Sequence, residues 1–137
     1  MIKKAAPRNL LDNSDFRNPV NQRGKTTYAG NGYSIDRWYL WGSGGTGILT
    51  IESDGILIDL NGAPAASIAQ RFPKGHFKGD KYTFAAYYDD GTVQISYTRI
   101  KEYDKHDQVE LGLDTSKKII CVALYEGEYT AETLPEY

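Results

Sequence analysis

From about residue 32 onward, short apolar runs alternate with Gly, Asp and Asn, and no stretch carries the spacing of a long amphipathic helix. Alternation of apolar and polar positions predicts strands within residues 33–41, 48–61, 66–72, 82–100, 108–113 and 118–125. Two packed antiparallel sheets accommodate that number of strands. A closed barrel would show more even strand spacing and no irregular stretch as long as residues 13–31. The expected fold is therefore all-β: an antiparallel β-sandwich, jelly-roll-like.

Two hairpins can be read in detail. In residues 82–100, Asp90-Gly91 has the residues of a two-residue type I′ turn. With that turn, Tyr88 pairs with Val93, Ala86 with Ile95 and Phe84 with Tyr97 on an apolar face. Tyr87 then pairs with Gln94, Ala85 with Ser96 and Thr83 with Thr98 on a polar one. The same reading of Asp54-Gly55 places Leu49 opposite Leu60 and Ile51 opposite Ile58, with Thr50, Glu52 and Asp59 facing away.

Length changes the picture only by bounding it: 137 residues make one domain, expected as a loose segment 1–8 followed by a sandwich over 9–137. No linker or repeat divides the chain. With 40% hydrophobic and 25% charged residues and no long apolar run, no membrane partner is expected, and the opening residues lack the apolar stretch of a secretory signal. A net charge of −2 with scattered Lys and Arg argues against nucleic acid. The one cysteine, Cys121, lies in an apolar run and reads as a buried, inert thiol that fits folding in a reducing cytoplasm.

Chemistry-bearing patterns are few. Asp12, Asp15, Asp54, Asp89 and Asp90 have no calcium-loop spacing, and each has a turn explanation. The glycine-rich residues 42–47 lack the Lys-Ser/Thr of a phosphate-binding loop, and no nucleophile motif or zinc spacing is present. No cofactor, metal or catalytic residue is expected, and the chain does not read as an enzyme.

Composition does single out aromatics, with 11 Tyr against 4 Phe and 2 Trp. Tyrosine suits strands with one wet end. A strand that buries Trp38 and Leu40 directs Tyr39 and Trp41 to its other face, where exposed rings can stack on the apolar faces of sugars. Packing beneath residues 42–47, or against another subunit, is the competing reading. Tyr87 with Gln94 and Ser96 forms a second candidate patch, alternatively an ordinary edge or solvent-covered sheet face. Asp36, Arg37 and Trp38 read as a structural lock in which Arg37 and Trp38 clamp residues 19–24, with Arg23 in the same network.

Three motifs stand in order near the start: Asn-Leu-Leu-Asp-Asn-Ser-Asp-Phe at residues 9–16, Pro-Val-Asn-Gln-Arg-Gly at 19–24 and Tyr-Ser-Ile-Asp-Arg-Trp at 33–38. Together they resemble the head of a domain widespread in bacteriophage and prophage tail proteins of Gram-positive bacteria. The far end is similar more loosely: Glu126-Gly127 keeps the pair expected after a late strand, whereas Tyr125 departs from the pattern. The ending at residues 134–137 reads as a boundary within a longer protein or the close of a short prophage product. The resemblance implies a carbohydrate-binding-module-like adhesion domain of a virion tail, made in the host bacterial cytoplasm. Its implied partners are a cell-surface polysaccharide or glycan and other tail subunits, in a homo-oligomer, a trimer in the full tail. A passive spacer or trimerisation domain without a ligand is the alternative implication.

Overall fold

The computed structural model describes residues 8–98 and 100–137. Those residues form an antiparallel β-sandwich of two sheets. The six-stranded sheet runs β1 (Thr27–Ala29), β4 (Ile48–Glu52), β5 (Gly55–Asp59), β11 (Ile119–Glu126), β7 (Tyr82–Tyr88), β8 (Val93–Thr98). The five-stranded sheet runs β2 (Gly32–Tyr33), β3 (Tyr39–Gly42), β6 (Ala66–Pro73), β10 (His106–Gly112), β9 (Lys101–Glu102). The chain changes sheet after β1, β3, β5, β6, β8 and β10, as a jelly roll does. Of the expected loose segment, residues 1–7 lie outside the described residues.

Alternation builds the core. Ile68 and Phe72 of β6 with Val109 and Leu111 of β10 meet Phe84 and Ala86 of β7 with Val122 and Leu124 of β11. Each fully buried Leu, Ile or Phe contributes about 1.5–3 kcal/mol. The run Ile119–Glu126 is apolar almost without interruption because β11 is covered on both sides. Its outward residues Cys121, Ala123 and Tyr125 are buried, as are Thr83 and Ala85 of β7. The C-terminal segment accounts for part of that cover: Thr83 Oγ1 donates to Gly127 O at 2.7 Å, and the Tyr129 amide donates back to Thr83 Oγ1 at 3.0 Å.

The opening motif completes the six-stranded sheet. β5 meets β11 only at Ile56 and Ile119, which leaves the rest of that edge open. Residues 10–16 occupy it: Leu10 N donates to Leu124 O (2.8 Å), Val122 N to Ser14 O (3.0 Å) and Phe16 N to Ile120 O (2.9 Å). Leu11 and Phe16 then enter the core.

Three expectations need correction. The β7–β8 register is one residue from the expected one, with Tyr87 opposite Val93, Ala86 opposite Gln94 and Phe84 opposite Ser96. The cause is the turn. Asp90 Oδ1 accepts the Thr92 amide at 3.0 Å, Gly91 N donates to Tyr88 O, and Gly91 alone takes the left-handed φ, 84°. That makes a three-residue loop instead of a type I′ turn, which needs positive φ at both central residues. β8 is thereby flipped: Gln94 and Ser96 share the face of Phe84 and Ala86, while Val93 and Tyr97 turn outward, 43% and 62% exposed. The flip is tolerated because Gln94 is satisfied at the sheet edge, accepting from Tyr88 OH and donating to Gly112 O.

In the β4–β5 hairpin the turn is Ser53-Asp54, so Leu49 opposes Ile58 and Ile51 opposes Ile56. The shift from the expected register is two residues, which preserves the faces. Gly55 lies in the strand; a Cβ there would stand 2.6 Å from Ile119 O, so the glycine permits close approach of β11. The expected strand 33–41 is a hairpin, β2 and β3, reversed by a turn in which Arg37 has φ 74° and Ser34 N donates to Trp38 O.

Candidate functional site

β3 presents its side chains alternately, and the alternation makes the site. Trp38 and Leu40 are fully buried, whereas Tyr39 is half-buried and Trp41 is 48% exposed on the outer face of the five-stranded sheet. Trp41 is thus not packed away beneath residues 42–47. β6 lies beside β3 in the sheet and β10 beside β6, with Tyr39 opposite Ala69 and Ala69 opposite Glu110. The small Ala69 between larger neighbours leaves a groove of about 340 Å³. Tyr39 and Trp41 line one part of it, Tyr103 and His106 another, and Arg71, Gln108 and Glu110 supply its polar groups.

A polar row crosses three strands. Lys101 Nζ donates to Glu110 Oε2 at 2.6 Å, Gln108 Nε2 donates to Glu110 Oε1 at 2.7 Å, and Arg71 Nε donates to Gln108 Oε1 at 3.2 Å. The Glu110 carboxylate beside it raises the Lys101 ammonium above its ordinary value. Arg71 also lies over the Tyr39 ring, 5.7 Å from its centre. Tyr103 stacks on His106 at 4.8 Å and 22°, and His106 Nε2 is buried with no hydrogen-bond partner among the described residues. Aromatic faces beside fixed amide, guanidinium and carboxylate groups can hold a polyhydroxylated ring: stacking takes the C–H face and the polar row takes the hydroxyls.

A second hollow of about 510 Å³ adjoins Tyr33, which meets Tyr39 edge-on at 5.3 Å. Gln22, Arg23, Asp36 and Arg37 line it. Here the expected clamp is corrected. Asp36 and Asn13 hold residues 19–24: Asp36 Oδ1 accepts the Gln22 amide at 2.8 Å, and the Asn13 side chain both accepts from Val20 N and donates to Val20 O. Arg37 leaves the turn in the other direction, reaching Asp12 Oδ2 and the Arg71 carbonyl and lying 5.1 Å over Phe72. Trp38 packs edge-on against Phe16 and donates to Asn13 O at 2.8 Å. Arg23 donates to Ser34 O at 3.1 Å.

Tyr87 and Gln94 do not join this groove, nor do they share a face. Tyr87 is on the outer face of the six-stranded sheet, its ring 5.8 Å from that of Tyr137. Gln94 belongs to the inward face of β8 because of the register. Sequence reasoning missed Arg71, Tyr103, His106, Gln108 and Glu110. Alternation within β6 and β10 places the first and the last two outward, but that β6 pairs with β3 and β10 with β6 has no local signal.

Burial pushes the Cys121 thiol up to about 11. Among the described residues no cluster of His, Cys, Asp and Glu has the makings of a metal site, and no helix is long and apolar enough to cross a membrane. No family model, curated protein or solved structure matches this chain.

Proposed function

We propose that this chain is a non-catalytic adhesion module of a phage or prophage tail that binds host cell-surface glycans weakly through the outer face of its five-stranded sheet. The observation that carries the reading is the groove in which Tyr39 and Trp41 stand beside the row Arg71, Gln108 and Glu110. Placement in a virion tail rests on the likeness of the three opening motifs to tail proteins. Each stacked ring contributes about 1 kcal/mol, so one copy binds weakly and an oligomeric tail multiplies the contacts through effective concentration. Titration with host cell-wall polysaccharide tests it: Trp41→Ala and Tyr39→Ala should each weaken binding about fivefold. Equal affinity in the variants, or no binding by the parent protein, overturns the proposal.

A second reading, a spacer or trimerisation element without a ligand, draws on Val93 and Tyr97 exposed along the edge strand β8. It expects a stable oligomer in light scattering that Tyr97→Ser disperses.

A further inference from the structure

We propose that the glycan held in this groove carries negative groups, carboxylate or phosphate, and that Arg71 receives one of them. This rests on the groove reading above and adds the chemical class of the ligand. Some charges in the groove are already answered and others are not. Glu110 has Lys101 at 2.6 Å, so that pair is neutral. Arg71 has no ion pair among the described residues; its one side-chain acceptor is the neutral Gln108 Oε1, reached from Nε, and its Cζ lies 5.7 Å from the centre of the Tyr39 ring. Both terminal nitrogens remain unbonded to protein among the described residues, leaving a planar fork of donors that matches carboxylate or phosphate oxygens.

The row behind Arg71 orients that fork. Lys101 holds Glu110, Glu110 accepts from Gln108 Nε2, and this turns Gln108 Oε1 toward Arg71 Nε. With Nε bonded to Gln108 and the Tyr39 ring beside it, the guanidinium is partly held before any ligand arrives, which lowers the entropy cost of binding. A second arginine repeats the arrangement. Arg23 lies 5.8 Å over Tyr33, Tyr33 meets Tyr39 at 5.3 Å, and Arg71 lies 5.7 Å over Tyr39. Arg23 likewise has no ion pair among the described residues and donates only to the Ser34 carbonyl. Two guanidinium groups without an ion pair among the described residues thus stand over two neighbouring rings, Asp36 being the one carboxylate that shares the Arg23 hollow, which suits a ligand with more than one acidic group. The whole chain carries a net charge of −2, so the positive character is local to this face.

The experiment compares three probes by calorimetric titration: a polygalacturonate oligomer, the same oligomer with its carboxyl groups reduced to alcohols, and a poly(glycerol phosphate). The protein should bind at least one acidic probe about tenfold more tightly than the reduced one, and raised salt should weaken that binding. Arg71→Gln should remove the preference, weakening the acidic probe more than the reduced oligomer, Arg71→Lys should restore part of it, and Trp41→Ala should weaken all probes alike. Which acidic probe loses affinity in Arg71→Gln tells carboxylate from phosphate. If the reduced oligomer binds as tightly as both acids, or Arg71→Gln keeps the preference, the inference falls while glycan binding stands. If no probe binds, or Trp41→Ala changes nothing, the groove reading falls and takes the inference with it.

Discussion

Gln70 and Asp12 hold each other through both ends of one amide: the Asp12 backbone N–H donates to Gln70 Oε1 at 3.0 Å, and Gln70 Nε2 donates to the Asp12 carbonyl at 2.7 Å. Gln70 is fully buried on the inward face of β6, and Asp12 belongs to the segment that borders β11. One side chain therefore ties the opening motif, attached to one sheet, to the other.

Replacing Gln70 by Leu keeps the volume and orphans both Asp12 backbone groups. At about 1–3 kcal/mol for each of the two unsatisfied groups, the loss should be about 2–6 kcal/mol. Urea denaturation with an unchanged slope reads it directly, and a loss below about 0.5 kcal/mol would mean the amide pair is dispensable.

Two glycines should fail for different reasons. Gly55→Ala puts a methyl group 2.6 Å from Ile119 O, a backbone atom with little room to move, and should cost about 3 kcal/mol. Gly91→Ala faces open space but holds φ at 84°, costing about 1 kcal/mol. Thermal melts of the two variants should keep that order; a reversed order would contradict the close approach of β5 and β11.

Alkaline pH should destabilise the protein. Burial raises Cys121 from 9.0 to about 11 and Tyr125 from 10.0 to about 12, so the folded state keeps protons that the unfolded chain releases. The stabilisation is complete below pH 9 and is lost from there through about 11 for the thiol, and from 10 through about 12 for the phenol. Melting temperature measured from pH 7 to 11 should fall above pH 9, and Cys121→Ala should delay the onset of that fall. A flat profile in the parent protein would show that these groups titrate normally.

Tyr87→Ala and Gln94→Ala should leave glycan titration unchanged. Tyr87 contacts Tyr137 on the outer face of the six-stranded sheet, away from the groove, and Gln94 serves Tyr88 and Gly112. Each substitution should instead lower stability by about 1 kcal/mol. Lost binding in Tyr87→Ala alongside intact binding in Trp41→Ala would move the site to the six-stranded sheet.

How far the amino-acid order reaches can be judged from these same residues. The positions of β6 and β10 were legible because burial on one face writes a period of two into each strand, and that of β11 because burial on both faces writes a continuous apolar run. Tyr39 and Trp41 were legible as an outward pair for the same local reason, following from buried Trp38 and Leu40. The β7–β8 register differs from the polarity pattern because Asp90, hydrogen-bonded to the Thr92 amide, shapes a three-residue loop, and Gln94 is satisfied on the inward face that the loop gives it.

Alternation along a strand is a nearest-neighbour property, and it already specified here that two β-layers form and which aromatic rings on β3 point outward. Sheet order is a long-range property. Arg71, Tyr103 and Gln108 join Tyr39 only because backbone pairing carries β3 to β6 and β6 to β10, and Gln70 reaches Asp12 only because the two layers close. Those meetings are chosen by burial summed over the whole core, a quantity that no short window of residues contains.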